Sequence, residues 1–244
     1  MDFLLTLNWV AVGQIILIDL LLGGDNAIVI ALACRNLPAH LRLKGILWGT
    51  AGAIAIRIVL IGFAVTLLQV PYLKLAGGLL LLWIGVKLLS DEGGDHSKLP
   101  GSDRLASAIK TIIIADLVMS IDNVIAVASA AGQAAGEHQL LLVVFGILVS
   151  VPIVVWGSTL VLKLMERLPL IITFGAGLLG YLAGAMIFTD IALGPWLVSV
   201  LPAQALSLQL TGVTLSVPGL VGAVVVVLTG KTLARRNSRA VPEH

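Results

Sequence analysis

The stretch Asp19-Leu-Leu-Leu-Gly-Gly-Asp25-Asn26-Ala-Ile-Val-Ile-Ala31 has a second copy in the chain, Asp116-Leu-Val-Met-Ser-Ile-Asp122-Asn123-Val-Ile-Ala-Val-Ala128. Both copies contain an Asp, five further residues and then Asp-Asn, and they match at six of thirteen positions. Each copy lies within an apolar run long enough to cross a membrane. A carboxylate in the middle of a bilayer is costly, so ionisable residues there usually serve a function. The four Asp residues are therefore the first candidates for a functional site.

The composition indicates a polytopic helical membrane protein. The chain has 244 residues, of which 59% are hydrophobic and 11% charged, and its mean hydropathy is +1.08. Soluble domains usually carry about 25% charged residues. The strand alternation typical of an outer-membrane barrel is not visible in the sequence, so we favour helices. The single cysteine, Cys34, excludes an internal disulfide and a multi-thiolate metal site.

We predict a single membrane domain over residues 1–244 with seven transmembrane helices. They are expected at residues 9–33, 43–68, 72–89, 105–131, 139–162, 169–189 and 215–231. The start of the chain lacks the basic residues of a cleaved signal peptide, so the first helix is expected to be retained. Three other segments complete the prediction: a polar cytoplasmic linker at 90–104, an apolar periplasmic loop at 190–216 with a short interfacial helix anchored by Trp196, and a basic tail at 232–244.

The distribution of basic residues predicts the orientation. Lys and Arg concentrate in the short cytoplasmic loops of membrane proteins. With seven crossings, thirteen of the fifteen basic residues fall on one side, only Lys74 falls on the other, and Arg57 lies within a helix. We therefore expect the N-terminus outside and the C-terminus in the cytoplasm of a bacterial inner membrane.

The Asp pattern belongs to a longer internal repeat. Helices one to three (9–91) repeat as helices four to six (105–190). The supporting matches are Gly49 with Gly146 at the same offset of 97, and Gly78-Leu-Leu and Asp91 with Gly177-Leu-Leu and Asp190 at an offset of 99. Because three is an odd number, the second copy must enter the membrane from the opposite face. Inverted repeats of this kind place substrate sites near the middle of the bilayer.

Helical geometry predicts which polar residues face each other. Asp19 and Asn26 are seven residues apart and share a face, as do Asp116, Ser120 and Asn123. Asp25 and Asp122 point about 100° away from the following Asn on a straight helix.

Two glycines, Gly23 and Gly24, follow Asp19 and offer a place where helix one could bend or unwind. Unwound backbone there would supply carbonyl ligands. The second copy has Ser-Ile at the same place, so the two halves should differ in shape.

The chemistry of this set suits a hard divalent cation. Carboxylate, amide, hydroxyl and carbonyl oxygens favour magnesium, calcium or manganese over zinc or copper. The predicted ligands are Asp19, Asp25, Asn26, Asp116, Asp122 and Asn123, with Ser120, Arg57, Gly23 and Gly24 as accessory positions. Four carboxylates in an empty site of low dielectric cannot all stay ionised, so the empty site should hold protons or use Arg57 as a counter-charge. The simpler alternative is that the Asn and Arg side chains only join helices structurally.

The two motifs around Asp25-Asn26 and Asp122-Asn123 resemble the paired signatures of the TerC family of integral membrane proteins. The resemblance covers residues 9–190, and the order of elements is similar to the YjbE-type branch. This family falls within the LysE exporter superfamily, and several members are implicated in manganese efflux. The resemblance therefore implies a manganese exporter, with Mn²⁺ as transported substrate and no prosthetic group, and with the six Asp and Asn residues matching the motif.

Three functions remain to be compared. The first is a secondary exporter of Mn²⁺, with proton exchange as the candidate driving force. The sequence has no G-x-x-x-x-G-K-[ST] loop, which argues against ATP use by this chain. The second is an intramembrane aspartyl protease with two Asp residues sharing a proton. The third is a non-transporting metal sensor or a partner in a stress-response complex. The expected partners are a divalent metal ion and membrane lipid rather than nucleic acid, and a homo-oligomer stays open.

Overall fold

The computed structural model describes residues 9–63, 66–67, 69–90, 100–133, 139–200, 207–210 and 213–239. Within these ranges the chain forms eight helices and one two-stranded antiparallel hairpin. The helices are α1 (Trp9–Cys34), α2 (Ala39–Gly62), α3 (Leu73–Ser90), α4 (Gly101–Gln133), α5 (Gln139–Arg167), α6 (Leu170–Phe188), α7 (Gly194–Val200) and α8 (Val217–Arg239). The strands are β1 (Ser207–Leu210) and β2 (Val213–Ser216).

Each of the seven predicted apolar segments contains a helix, and these are α1 to α6 and α8. Among the described residues, five helical segments are long and apolar enough to cross a membrane: Ala39–Gly62, Leu73–Ser90, Gly146–Arg167, Leu170–Phe188 and Val217–Arg236. The described part of α1 adds a shorter apolar segment, Gly24–Cys34. The helical class is confirmed, and the count of seven crossings stays a prediction.

Several helix ends differ from the prediction, including that of α5, which continues to Arg167 rather than ending at 162. The α2 helix runs from Ala39 to Gly62 rather than from 43 to 68, because Pro38 forms its N-cap and proline favours the start of a helix. The α4 helix begins at Gly101, so the last residues of the predicted linker 90–104 are helical, while 91–99 lie outside the described residues. The α8 helix continues to Arg239, through most of the predicted basic tail, because Lys and Arg are good helix formers and suit a helix C-terminus.

The segment 190–216 is more structured than predicted. The α7 helix contains Trp196, which is exposed, as expected for the predicted short helix. The pairing of β1 with β2 was not predicted, and it adds a local hairpin to an otherwise helical fold. Ser207 pairs with Ser216 and Leu210 with Val213. The alternation of polar and apolar residues in both strands, with Val and Thr in β2, is the pattern that favours such a hairpin.

The chain divides into two compact units, which we describe separately. Unit one comprises residues 1–68 and 105–162, and unit two comprises 69–104 and 163–244.

In unit one, small residues let α2 approach its neighbours closely. A Cβ added to Gly45 would meet the Cys34 and Leu37 side chains, and one added to Gly49 would meet Ile112 of α4. The glycine spacing therefore brings α2 against both α1 and α4, which is the usual role of small residues between membrane helices.

In unit two, α3, α6 and α8 pack against one another. Leu89, Ala176 and Val226, one from each helix, form a fully buried cluster. The α6 and α8 backbones approach so closely that a Cβ on Gly184 would lie 2.8 Å from the Pro218 carbonyl carbon. Glycine at this position is thus required by the packing rather than by backbone conformation.

Unit two also contains a buried carboxylate that fixes the start of α3. Asp190 is 1% exposed and follows α6. Its Oδ1 accepts hydrogen bonds from the backbone N–H groups of Tyr72 (3.3 Å), Ala192 (2.9 Å) and Leu193 (3.3 Å), and its Oδ2 accepts one from Leu75 (3.2 Å). Burial acts to raise the pKa of Asp190, but the four backbone donors outweigh it and hold the pKa below its ordinary value. Asp190 is therefore a structural link between two helices.

Candidate functional site

An ion pair between α2 and α4 is the centre of the site in unit one. The Arg57 guanidinium lies 2.5 Å from Asp116 Oδ1, and Arg57 Nε donates to Ser120 Oγ at 3.1 Å. Ser120 Oγ in turn donates to Asp116 Oδ2 at 3.2 Å. Arg57, Asp116 and Ser120 are all buried. Arg57 lies where it neutralises the Asp116 carboxylate, as expected if it serves as a counter-charge.

A small cavity of about 20 Å³ lies beside this triad, large enough for a water molecule or a single ion. Its polar lining comes from α1, α2, α4 and α5, as Asn26, Thr50, Arg57, Asp116 and Ser150. The remaining lining residues are apolar: Ile30, Ala53, Ile54, Ile147, Val151 and Val154. The cavity is thus a polar spot enclosed by apolar side chains, the usual construction of a small-ligand site.

Two oxygen atoms on the cavity lining lack hydrogen-bond partners within the described part of the chain. Asn26 Oδ1 and Thr50 Oγ are both buried and unpaired, in residues that are 6% and 4% exposed. Leaving a buried polar atom unsatisfied costs about 1–3 kcal/mol, so each such atom calls for an explanation. A cation bound in the cavity would satisfy both.

The structure brings together four of the predicted residues, and Asp25 lies within electrostatic range of two of them. Asn26, Arg57 and Asp116 line the cavity, and Ser120 supports Asp116. Asp25 has a buried and unpaired Oδ1 but does not line this cavity. On a straight helix Asp25 is expected to point about 100° away from Asn26, so lining the cavity with one of them does not require the other.

The two glycines predicted as accessory positions, Gly23 and Gly24, lie within a regular helix. The α1 helix is continuous from Trp9 to Cys34, so the unwound segment expected at Gly23 and Gly24 is absent from this structure. In an uninterrupted helix each backbone carbonyl accepts a hydrogen bond from the residue four positions later, so these carbonyls are not expected to act as ligands.

The side chains of Asp19, Asp122 and Asn123 lie outside the described residues. Among the side chains that are described, no three His, Cys, Asp or Glu residues form a group that could hold a metal.

Two lining residues, Thr50 and Ser150, were not predicted. Thr50 lies two helical turns before Arg57 on α2, so the shared face of α2 was the signal that could have identified it. Ser150 lies 97 residues after Ala53, another lining residue, so the repeat could have identified it.

The lining follows the sequence repeat throughout. Eight of the eleven lining residues form four pairs at an offset of 97: Thr50 with Ile147, Ala53 with Ser150, Ile54 with Val151, and Arg57 with Val154. The other three, Asn26, Ile30 and Asp116, correspond at the same offset to Asn123, Val127 and Asp19. Equivalent positions of the two copies therefore enclose one cavity, but only one copy supplies an arginine.

The family of the chain follows from a match over nearly its whole length. Residues 4–238 match the model of the integral membrane protein TerC family. The chain belongs to the TerC family. It is a multi-pass membrane protein, in agreement with its several apolar helices.

Proteins of similar sequence to this TerC protein are also named as membrane proteins. It is 50% identical to the membrane protein YjbE of Bacillus subtilis over 173 residues, which cover 71% of this chain and 77% of YjbE. It is 26% identical to the UPF0053 inner membrane protein YgdQ of Escherichia coli K12, over 66% of this chain and 73% of YgdQ. It is also 26% identical to the membrane protein YceF of Bacillus subtilis, over 49% of this chain and 50% of YceF. No solved structure matches the chain.

Proposed function

We propose that this TerC protein is a secondary transporter that exports a divalent metal, Mn²⁺ foremost, from the cytoplasm through the cavity in unit one. The observation that carries the proposal is the buried Arg57–Asp116 pair beside two unpaired oxygen atoms, Asn26 Oδ1 and Thr50 Oγ. Protein interiors avoid both features unless a ligand or a function compensates for them. A cation that displaces Arg57 from Asp116 would account for both the buried ion pair and the unpaired oxygen atoms.

Charge balance supports coupling to protons. In the described lining Arg57 and Asp116 cancel, so a divalent cation needs negative charge from elsewhere. Asp19, Asp25 and Asp122 lie on the two helices that carry the Asp-Asn motifs. These acids must give up protons, or Asp116 must release Arg57, when a metal ion enters a medium of low dielectric. The first of these alternatives would couple metal export to proton exchange.

The pairing of lining positions at an offset of 97 supports an inverted repeat with alternating access. In transporters of this kind the substrate site lies near mid-bilayer at the interface of the repeats, and the two halves rock around it. The proposal therefore includes seven crossings, with the N-terminus outside and the C-terminus in the cytoplasm. It places the chain in the wider LysE exporter superfamily.

The choice of metal has two separate supports. The described oxygen atoms around the cavity are hard ligands, which favour Mn²⁺, Mg²⁺ or Ca²⁺ over softer metals. The resemblance to TerC proteins implicated in manganese efflux selects Mn²⁺ among these three.

Metal flux into proteoliposomes that contain only this protein tests the proposal. Mn²⁺, Ca²⁺, Mg²⁺ and Zn²⁺ are compared, with a pH-sensitive dye inside the vesicles and Asp116→Asn as the inactive variant. We expect Mn²⁺ flux with opposite proton movement, and loss of both in the variant. Binding of Mn²⁺ without flux would instead support the alternative of a metal sensor or a partner of another membrane complex.

The aspartyl protease is disfavoured by the state of Asp116. A protease dyad shares one proton between two carboxyl groups. Asp116 is instead bonded to a guanidinium, which favours an ionised carboxylate.

A further inference from the structure

Thr50 differs from several other helical hydroxyl residues in the described part of the chain, whose hydroxyls bond to their own helix. Thr111 donates to the Ser107 carbonyl at 2.9 Å, Thr229 to the Val225 carbonyl at 2.5 Å, and Ser158 to the Val154 carbonyl at 2.7 Å. This bond to the carbonyl four residues earlier is the common solution for a hydroxyl within a helix. Thr50 Oγ is buried on the cavity lining and makes no hydrogen bond within the described residues.

We propose that Thr50 is a direct ligand of the transported cation, acting together with the Asn26 amide oxygen. This inference rests on the proposed function and adds a ligand that lies outside both Asp-Asn motifs. The two atoms are the unpaired oxygens of one cavity, and they come from different helices, α1 and α2. A hard, partly dehydrated divalent cation takes neutral oxygen atoms of this kind beside carboxylates.

Ser150 provides a second hydroxyl on the same cavity. Its Oγ donates a hydrogen bond to the Ile147 carbonyl at 2.8 Å. Thr50 and Ile147 are equivalent in the repeat, as are Ala53 and Ser150. Each copy thus supplies one hydroxyl, and the two positions lie three residues apart when the copies are aligned. The two hydroxyls therefore occupy non-equivalent positions of the repeat, and Arg57 likewise has no arginine as its equivalent.

The substitution Thr50→Val distinguishes a ligand role from a packing role, because the two roles predict different effects on metal binding. Val has the shape of Thr without the oxygen. If Thr50 only packs, Thr50→Val removes an unsatisfied buried atom, which leaves stability equal or higher and metal binding unchanged. If Thr50 is a ligand, the same substitution weakens metal binding while the stability of the metal-free protein is again equal or higher.

The experiment measures Mn²⁺ binding to purified full-length protein by electron paramagnetic resonance, with flux in proteoliposomes and thermal unfolding without metal. Thr50→Val and Thr50→Ala both lack the hydroxyl, but Ala opens space where Val fills it. Thr50→Ser keeps the hydroxyl. Thr111→Val is the matched control, because Thr111 makes its hydroxyl bond within α4 and does not line the cavity.

We expect the Kd for Mn²⁺ to rise about tenfold in Thr50→Val and Thr50→Ala, the scale of losing one supporting group at a metal site. Thr50→Ser and Thr111→Val should stay near the wild-type Kd, and the midpoint of metal-free Thr50→Val should not fall. Wild-type affinity in both Thr50→Val and Thr50→Ala would overturn the ligand role of Thr50 while leaving export through Asp116 intact. Absence of binding and flux in the wild-type protein would instead overturn the proposed function together with this ligand.

Discussion

Arg57 and Asp116 form an ion pair of 2.5 Å between two helices, although they are 59 residues apart in the chain and each side chain is only 8% exposed. Removing two charges from water is expensive, and their mutual attraction offsets that cost only when the geometry is good. Ser120, which bonds to both partners, completes that geometry. The pair therefore joins α2 to α4 and holds Asp116 neutralised beside the cavity.

A double-mutant cycle tests this relationship. Arg57→Met and Asp116→Leu should each lower the free energy of unfolding by about 3–5 kcal/mol, because each leaves one charge buried without a partner. The double variant should recover much of that loss, since no unpaired charge remains, yet it should transport no metal. Unfolding in detergent and flux in vesicles measure the two effects. Strictly additive losses of stability would contradict a direct pair.

The second Asp of each motif, Asp25 in the first and Asp122 in the second, is predicted to be essential for transport. Asp25→Asn and Asp122→Asn each remove a carboxylate charge at nearly constant shape, so the protein should insert normally and flux should be abolished. Asp103→Asn is the control, because Asp103 is exposed in the first turn of α4. Wild-type flux in both motif variants would contradict a site built on the repeat. Expression level and elution volume verify that the variants are folded.

The sequence was sufficient to predict the helices because each is an apolar run bounded by Pro, Gly or charged residues. It also predicted that Asn26, Arg57, Asp116 and Ser120 belong to one site, because ionisable residues in apolar helices have few acceptable environments. These results depend on local pattern and on the cost of buried charge.

Other features depend on tertiary contacts that a pattern does not contain. Thr50 is unremarkable in sequence, because a Thr within a helix normally bonds to its own backbone. Asp190 was noted only as a repeat match, and its four backbone partners come from two segments more than a hundred residues apart. The β1–β2 hairpin was overlooked because an eight-residue pattern is weak beside the apolar runs that surround it.

Close packing of α6 on α8 predicts a steep cost for a side chain at Gly184. A Cβ there would lie 2.8 Å from the Pro218 carbonyl carbon and 3.1 Å from the Gly219 Cα, and backbone atoms cannot rotate away. We expect Gly184→Ala to lower the free energy of unfolding by about 1–3 kcal/mol, as overpacking does. Gly177→Ala on the same helix is the control, since its added Cβ would be no closer than 3.4 Å to the Val227 side chain, an ordinary contact. Equal thermal stability of the two variants would argue against the close approach.

Asp190 predicts an acid-sensitive link at the start of α3. Its pKa is held below the ordinary carboxyl value by four backbone donors. A depressed pKa contributes stability that is fully present above the unfolded-state value of about 4 and is lost as the pH falls through the folded-state pKa. Asp190→Asn should therefore lower the unfolding midpoint at pH 7, because it removes the charge and one acceptor oxygen. The difference between wild type and variant should shrink as the pH is lowered below about 4. Thermal unfolding between neutral and acidic pH measures this, with Asp103→Asn as an exposed carboxylate control. A difference that stays constant across the range would show that the Asp190 charge contributes nothing and that only its shape matters.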